Sequence, residues 1–347
     1  MRRRIRAWAA GLAALTLALS GCGLLDEGGL SAPDAPAGAE TVKIGYLHTI
    51  AVDDKLTYGV TEGHFAEQGV NVEAIEFDTG IAVSQALVSG DIDVAIMGGV
   101  TSNFPAQGQG RIFMVNSFET ATARLYVQGD SGIENVEDLR GKTLALTEGT
   151  TADVYLHAAL EHAGVDRSDV DIVNATMPNA LQAFVSGSVD AVALWVPYDL
   201  RLSEGVPDAR EIDHAGNYPE AAVADGWIAN NGWYEKNPDL VRSLIRGWLA
   251  SNEAFRADDD ALQTVLDASY AGQATLDDLE YQVRFQQDFS NEEWLEKYRN
   301  GEVLDVVGQA EQAFVELGGV PEFVPPEDFF DTAPFIETAE EYLDEQQ

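Results

Sequence analysis

A twelve-residue pattern occurs twice in this chain. Residues 86–97 read ALVSGDIDVAIM and residues 183–194 read AFVSGSVDAVAL; Ala, Val, Ser, Gly and Asp recur at equal offsets, 97 positions apart. In each copy a helical stretch ends at a glycine (Gly90, Gly187), where a left-handed C-cap fits. A short polar turn and an apolar strand follow. A helix that hands over to a buried strand is half of a parallel α/β unit. Any helix-to-strand turn favours small residues, but five identities in twelve positions go beyond that. The repeat therefore predicts two α/β lobes of related architecture.

The flanking sequence completes each unit. Residues 42–46 (VKIGY), 70–77 (VNVEAIEF) and 92–97 (IDVAIM) read as strands, with helices over roughly 54–68 and from Ile81 to Gly90. In the second half, strands are expected at 143–147, 170–174 and 189–195, with helices at about 151–163 and 178–186. Residues 226–230 (GWIAN) read as a strand returning to the first lobe. From Asn237-Pro238, an N-cap followed by proline at the first helical position, the pattern is helical. Helices are expected at 239–256, 275–287, 291–298, 302–317 and 331–343, the last with its acids toward solvent. The expected division is 41–128 and 225–347 for lobe 1 and 129–224 for lobe 2. Hinges are expected near 126–130 and 222–226.

The first 40 residues lie outside this scheme. Arg2, Arg3, Arg4 and Arg6 precede an apolar run from Ala7 to Leu19, of signal-peptide length and short for a bilayer span. The run ends in Leu19-Ser20-Gly21-Cys22, which resembles a bacterial lipobox, and Cys22 is the only cysteine in the chain. Residues 1–21 are expected to be a signal peptide, Cys22 a lipidated N-terminus, and residues 22–40 a flexible tether. The chain has 20 basic and 59 acidic residues, a formal charge of −39. Such a charge repels phosphate backbones and argues against nucleic-acid binding. A single cysteine excludes an internal disulfide or a cysteine-rich zinc site.

The path of secretion, anchor, two lobes and a helical C-terminal section resembles the periplasmic-binding-protein type II fold. Four segments resemble the taurine, sulfonate and nitrate-type binding proteins of ABC importers. They are Phe77-Asp78-Thr79-Gly80 with 86–93; Asp138-Leu139-Arg140-Gly141-Lys142 with Thr150-Thr151-Ala152; 186–190 with Trp195-Val196-Pro197-Tyr198; and 237–241 with 255–258. The resemblance implies a cleft between the lobes that closes on a small ligand. The implied partners are a permease and an ATPase, with the membrane reached through the lipid anchor. A monomer without cofactor or metal is expected.

Helix N-termini at the carboxyl ends of the strands supply the expected contacts, since their free N–H groups and partial positive charge suit an anion. Thr79-Gly80, Gly99-Val100-Thr101 and Thr150-Thr151 are the three junctions, and a threonine there can equally be a plain cap. Sulfonate-type relatives commonly carry serines where Gly99 and Val100 stand, so hydroxyl donors are fewer here. Asp225 precedes the return strand; in taurine-binding relatives an acid at that place faces the ligand amine. Trp195, at a strand end, suits a cleft wall. His48 follows the first strand and is a further candidate contact.

Little points to catalysis. The five histidines are scattered, His157 and His162 are five apart rather than three or four, and no HExxH, GxSxG, Walker or GxGxxG motif occurs. The expected function is an extracytoplasmic receptor for a taurine-like or sulfonate ligand. The alternatives are nitrate or a thiamine-pyrimidine precursor as ligand, or a related pyrimidine-synthase-like enzyme.

Overall fold

The computed structural model describes Leu30 and residues 36–77, 79–99 and 101–346. The expected signal peptide, Cys22 and Val100 lie outside the described residues. Among the described residues, eleven strands form two sheets. They are β1 (Glu40–Leu47), β2 (Val70–Phe77), β3 (Val94–Met97), β4 (Arg111–Glu119), β5 (Ala123–Val127), β6 (Thr143–Leu146), β7 (Asp171–Asn174), β8 (Ala191–Trp195), β9 (Arg210–His214), β10 (Val223–Ala229) and β11 (Gln286–Gln287). The first sheet has the order β11-β4-β10-β3-β1-β2 and the second β7-β6-β8-β5-β9. In each, the repeat strand (β3 or β8) runs parallel to the strand two before it.

The repeated residues do the same work in both lobes. Asp93 Oδ2 accepts the Lys43 N–H at 2.9 Å, and Asp190 Oδ2 accepts the Thr143 N–H at 2.9 Å. Their own N–H groups donate to the Lys43 and Thr143 carbonyls, again at 2.9 Å. Ser89 and Ser186 each donate to the carbonyl three residues back, at 3.0 Å. Gly90 and Gly187 sit at φ +81° and +71°, where a Cβ is disfavoured. The motif is a lock between the turn that ends a helix and a neighbouring strand.

The lobe boundary differs from the expected one. β5 was expected in lobe 1, but it pairs with β8 and β9 of the second sheet. The chain thus leaves the first sheet at Glu119 and crosses at 120–122, not at 126–130. It returns through β10, which starts at Val223 and pairs antiparallel with β3 and β4. β4, β5, β9 and β11 were not read from the sequence; the helix expected at 275–287 ends its α-helical part at Gln282, and Gln286–Gln287 pair with β4 instead.

Each sheet has its own apolar core. Trp227, Trp248 and Trp294 fill the first, with Trp227 on β10 facing inward. The helix Pro238–Ala257 packs on the helix Ile50–Thr61, which is buried from Ile50 to Val60. The last helix, Ala333–Glu345, buries Phe335, Ala339 and Tyr342. Its acids are exposed, and several are paired with arginines: Arg242 with Glu337, Arg246 with Glu345, and Arg299 with Glu340. No helix among the described residues is long and apolar enough to cross a membrane.

Candidate ligand-binding cleft

The two lobes meet at Gly99. A Cβ built there would lie 2.6 Å from Thr151 Oγ1 and 2.8 Å from the Thr151 nitrogen. Gly99 follows β3 of the first sheet, and Thr151 opens the helix Thr151–His162 of the second lobe. Only a residue without a side chain permits this approach. Two of the expected contacts are therefore brought together, and the cleft is closed at this point.

Thr151 is buried, and its hydroxyl has no hydrogen-bond partner among the described residues. The N-terminus it opens is partly served from within. Buried Asp153 accepts the Gly149 N–H at 2.8 Å and pairs with Arg167 at 2.7 Å, so an internal anion already faces this helix end. The expected donors at Thr101 and Thr150 are also engaged. Thr101 Oγ1 lies 2.7 Å from the Met97 carbonyl oxygen and 2.6 Å from that of Gly98, so its one proton stays within its own turn. Thr150 donates to the Thr147 carbonyl at 2.7 Å. Thr79 is exposed and caps the helix Gly80–Ser89 by accepting the Ala82 N–H at 3.2 Å. Thr79 and Gly80 follow β2, at the edge of the first sheet.

Asp225 lies in the centre of the first sheet, on β10 opposite Ser117 of β4, and is fully buried. Neither carboxylate oxygen has a hydrogen-bond partner among the described residues. Its closest charged neighbour is Glu119, also buried, at the end of β4. A Cβ on Gly98 would lie 2.8 Å from Asp225 Oδ1 and 2.8 Å from Glu119 Oε1, so both acids converge on the turn that leads to Gly99. Burial first, and the Glu119 charge second, push the Asp225 carboxyl well above the usual range.

His48 is held inside the first lobe. Its Nδ1 lies 2.7 Å from Asp53 Oδ2, and its ring stacks on Tyr270 at 4.1 Å. Tyr270 donates to the other Asp53 oxygen at 2.7 Å. Burial raises Asp53 to about 6 despite these bonds. Burial opposes protonation of His48, but Asp53 outweighs it and raises the imidazole. Trp195, half-buried, meets Tyr198 edge to face at 5.7 Å.

The C-terminal section reaches across to the second lobe. Tyr281 donates to Asp199 at 2.5 Å. Phe285 stacks under the Arg124 guanidinium at 4.1 Å, and Arg124 pairs with Glu211 at 2.6 Å. Glu119, Gly98, Arg124 and Tyr281 were not singled out in the sequence. A cavity of about 660 Å³ lies elsewhere, between the helices Thr151–His162 and Glu302–Glu316, and no expected site residue lines it.

Comparison with known proteins gives a family match over residues 55–261, to the family described as NMT1/THI5 like. A protein of Brucella abortus named as a binding protein is 24% identical over 290 residues, 83% of this chain and 89% of the relative. The taurine-binding periplasmic protein of Escherichia coli is 27% identical over 196 residues, 56% of this chain and 60% of the relative. The periplasmic aliphatic sulphonate binding protein of Escherichia coli has the same fold. Its TM-score is 0.66 at 20% identity, over 84% of this chain and 91% of that one.

Proposed function

The chain belongs to the NMT1/THI5-like family, and from that premise we propose that it is an extracytoplasmic receptor of an ABC importer. It captures a small ligand bearing an amine and a sulfonate or similar anion, closes over it, and presents the closed form to a permease and its ATPase. Asp225 is the amine anchor: a fully buried carboxylate whose oxygens have no hydrogen-bond partner among the described residues is the observation that carries the reading. An ammonium there makes charge-assisted hydrogen bonds. Thr151 and the helix end it opens take the anionic end, more weakly than the sequence suggested because Asp153, Thr101 and Thr150 are otherwise engaged. The two relatives named above are binding proteins by name, which supports capture over turnover, although a Saccharomyces cerevisiae relative, 24% identical over 57% of this chain, is named as a synthase. Export and attachment through Cys22, in a monomer, complete the reading.

Calorimetric titration with taurine, ethanesulfonate, nitrate and a hydroxymethyl-aminopyrimidine tests it. Taurine is expected to bind most tightly. Heat from the pyrimidine alone moves the ligand to the thiamine-precursor class, and silence with all four removes the substrate class.

A further inference from the structure

We propose that Glu119 and Asp225 together form the seat for the ligand's ammonium group, sharing a proton that the arriving cation displaces. This rests on the receptor reading above and adds to it a second residue and an exchanged ion.

The two acids are close and enclosed. Their oxygens lie equally near one point over Gly98, and both side chains are buried. No cation is free to serve them among the groups nearby. Lys55, from the helix beside them, is held by Asp54 at 2.7 Å and Asp288 at 3.4 Å. Arg124, past the crossing, is held by Glu211 at 2.6 Å and Asp199 at 3.9 Å. His48 is held by Asp53. The remaining facing groups are Asp54, which adds negative charge to Asp225, Ser117, which is neutral, and Glu311, a buried acid on the helix Glu302–Glu316 that packs against β10. The turn at Gly98-Gly99 brings no ionisable side chain, and across the cleft, behind Thr151, buried Asp153 is already paired with Arg167.

Two enclosed carboxylates at short range do not both ionise; one proton held between them relieves the repulsion. An ammonium has one positive charge and three N–H donors, enough to bond to both carboxylates at once. With the cation seated, the retained proton loses its advantage and leaves to solvent, while the ligand keeps all three of its own. The exchange balances: one ammonium enters, up to one proton departs, and no covalent bond forms. A sulfonate without an amine cannot make the exchange, so the pair selects for ligands with a cationic end.

Linkage gives the sign. The complex holds fewer protons at this pair than the ligand-free protein, so affinity rises with pH, by up to about tenfold per unit for one proton. The test is taurine calorimetry between pH 5.5 and 8.5, in pairs of buffers with different ionisation heats. Wild type is expected to release up to one proton per taurine and to bind more tightly as pH rises. Glu119→Gln is expected to keep a preference for taurine over ethanesulfonate but to release fewer protons and show a shallower pH slope, burial alone still raising Asp225. Asp225→Asn is expected to lose the preference as well. Taurine binding without proton release at any pH overturns the pair while leaving the receptor reading intact. Should taurine give no heat, that reading fails, and infrared titration of the ligand-free protein decides on the pair separately. A protonated carboxyl that persists at pH 7 beyond that of Glu311, and that is lost at lower pH in both variants, supports it; no such carboxyl overturns it.

Discussion

At the residue scale, the candidate site divides into side chains whose role follows from local chemistry and those whose role depends on a distant partner. Thr79 and the Gly90 and Gly187 turns were legible because caps and left-handed turns are decided by a few adjacent residues. Asp225 was singled out because it adjoins the return strand at the lobe crossing and because of the family resemblance. Glu119 did not, since it is one of 59 acids. Only the pairing of β4 with β10 places it next to Asp225. Thr101 shows the reverse: a plausible donor by position, it spends its proton on the carbonyls of its own turn. Gly99 offers the sharpest residue-scale prediction. Gly99→Ala sets a methyl against Thr151, where the available distance is 2.6–2.8 Å. The lobes should then stop short of full closure. Ligand affinity is expected to fall at least tenfold, with the thermal midpoint of the ligand-free protein nearly unchanged. Calorimetry and small-angle scattering with and without taurine check this, and unaltered affinity would show that the contact is not needed for capture.

At the element scale, the repeat explains why two separate lobes share one construction. The aspartates are part of the sheet, since each accepts a backbone N–H of a neighbouring strand, Lys43 within β1 and Thr143 at the start of β6. Asp93→Ala and Asp190→Ala each remove the side-chain acceptor of a backbone N–H, a loss of about 1–3 kcal/mol. Urea unfolding followed by hydrogen exchange is expected to show the loss at β1 and β3 for the first variant and at β6 and β8 for the second. Equal loss in both lobes from either variant would count against a local lock. The strands missed by sequence reading have a common cause. β4 is buried at eight of nine positions and so lacks alternation, while β9, REIDH, is short and charged. Pairing partners, not periodicity, make both of them strands.

At the scale of the molecule, the acidic excess and the buried acids act together. Asp53 is raised to about 6 and Glu311, buried without a hydrogen-bond partner, to about 7. Both carboxyls bind a proton more strongly folded than unfolded, so their protonation favours the folded state. His48 is raised as well, and its contribution is also lost as pH rises through its folded value. All three signs agree: stability is expected to increase as pH falls from 8 to about 5.5. Added salt should raise the thermal midpoint at pH 8 by screening the net charge of −39. Glu311→Gln should remove part of the pH dependence. Urea melts across this range test it, and a maximum near pH 8 would contradict it.

The sequence alone determined that two α/β lobes would form and where most helices end. Apolar periodicity and turn chemistry act over a few residues, and the repeat states the same local solution twice. The tertiary structure decided where the chain changes lobes, that Gly99 rests on Thr151, and that Glu119 faces Asp225. Those outcomes depend on strand pairing and lobe contact between residues far apart in the chain, where local pattern carries no information about which acid or glycine meets which partner.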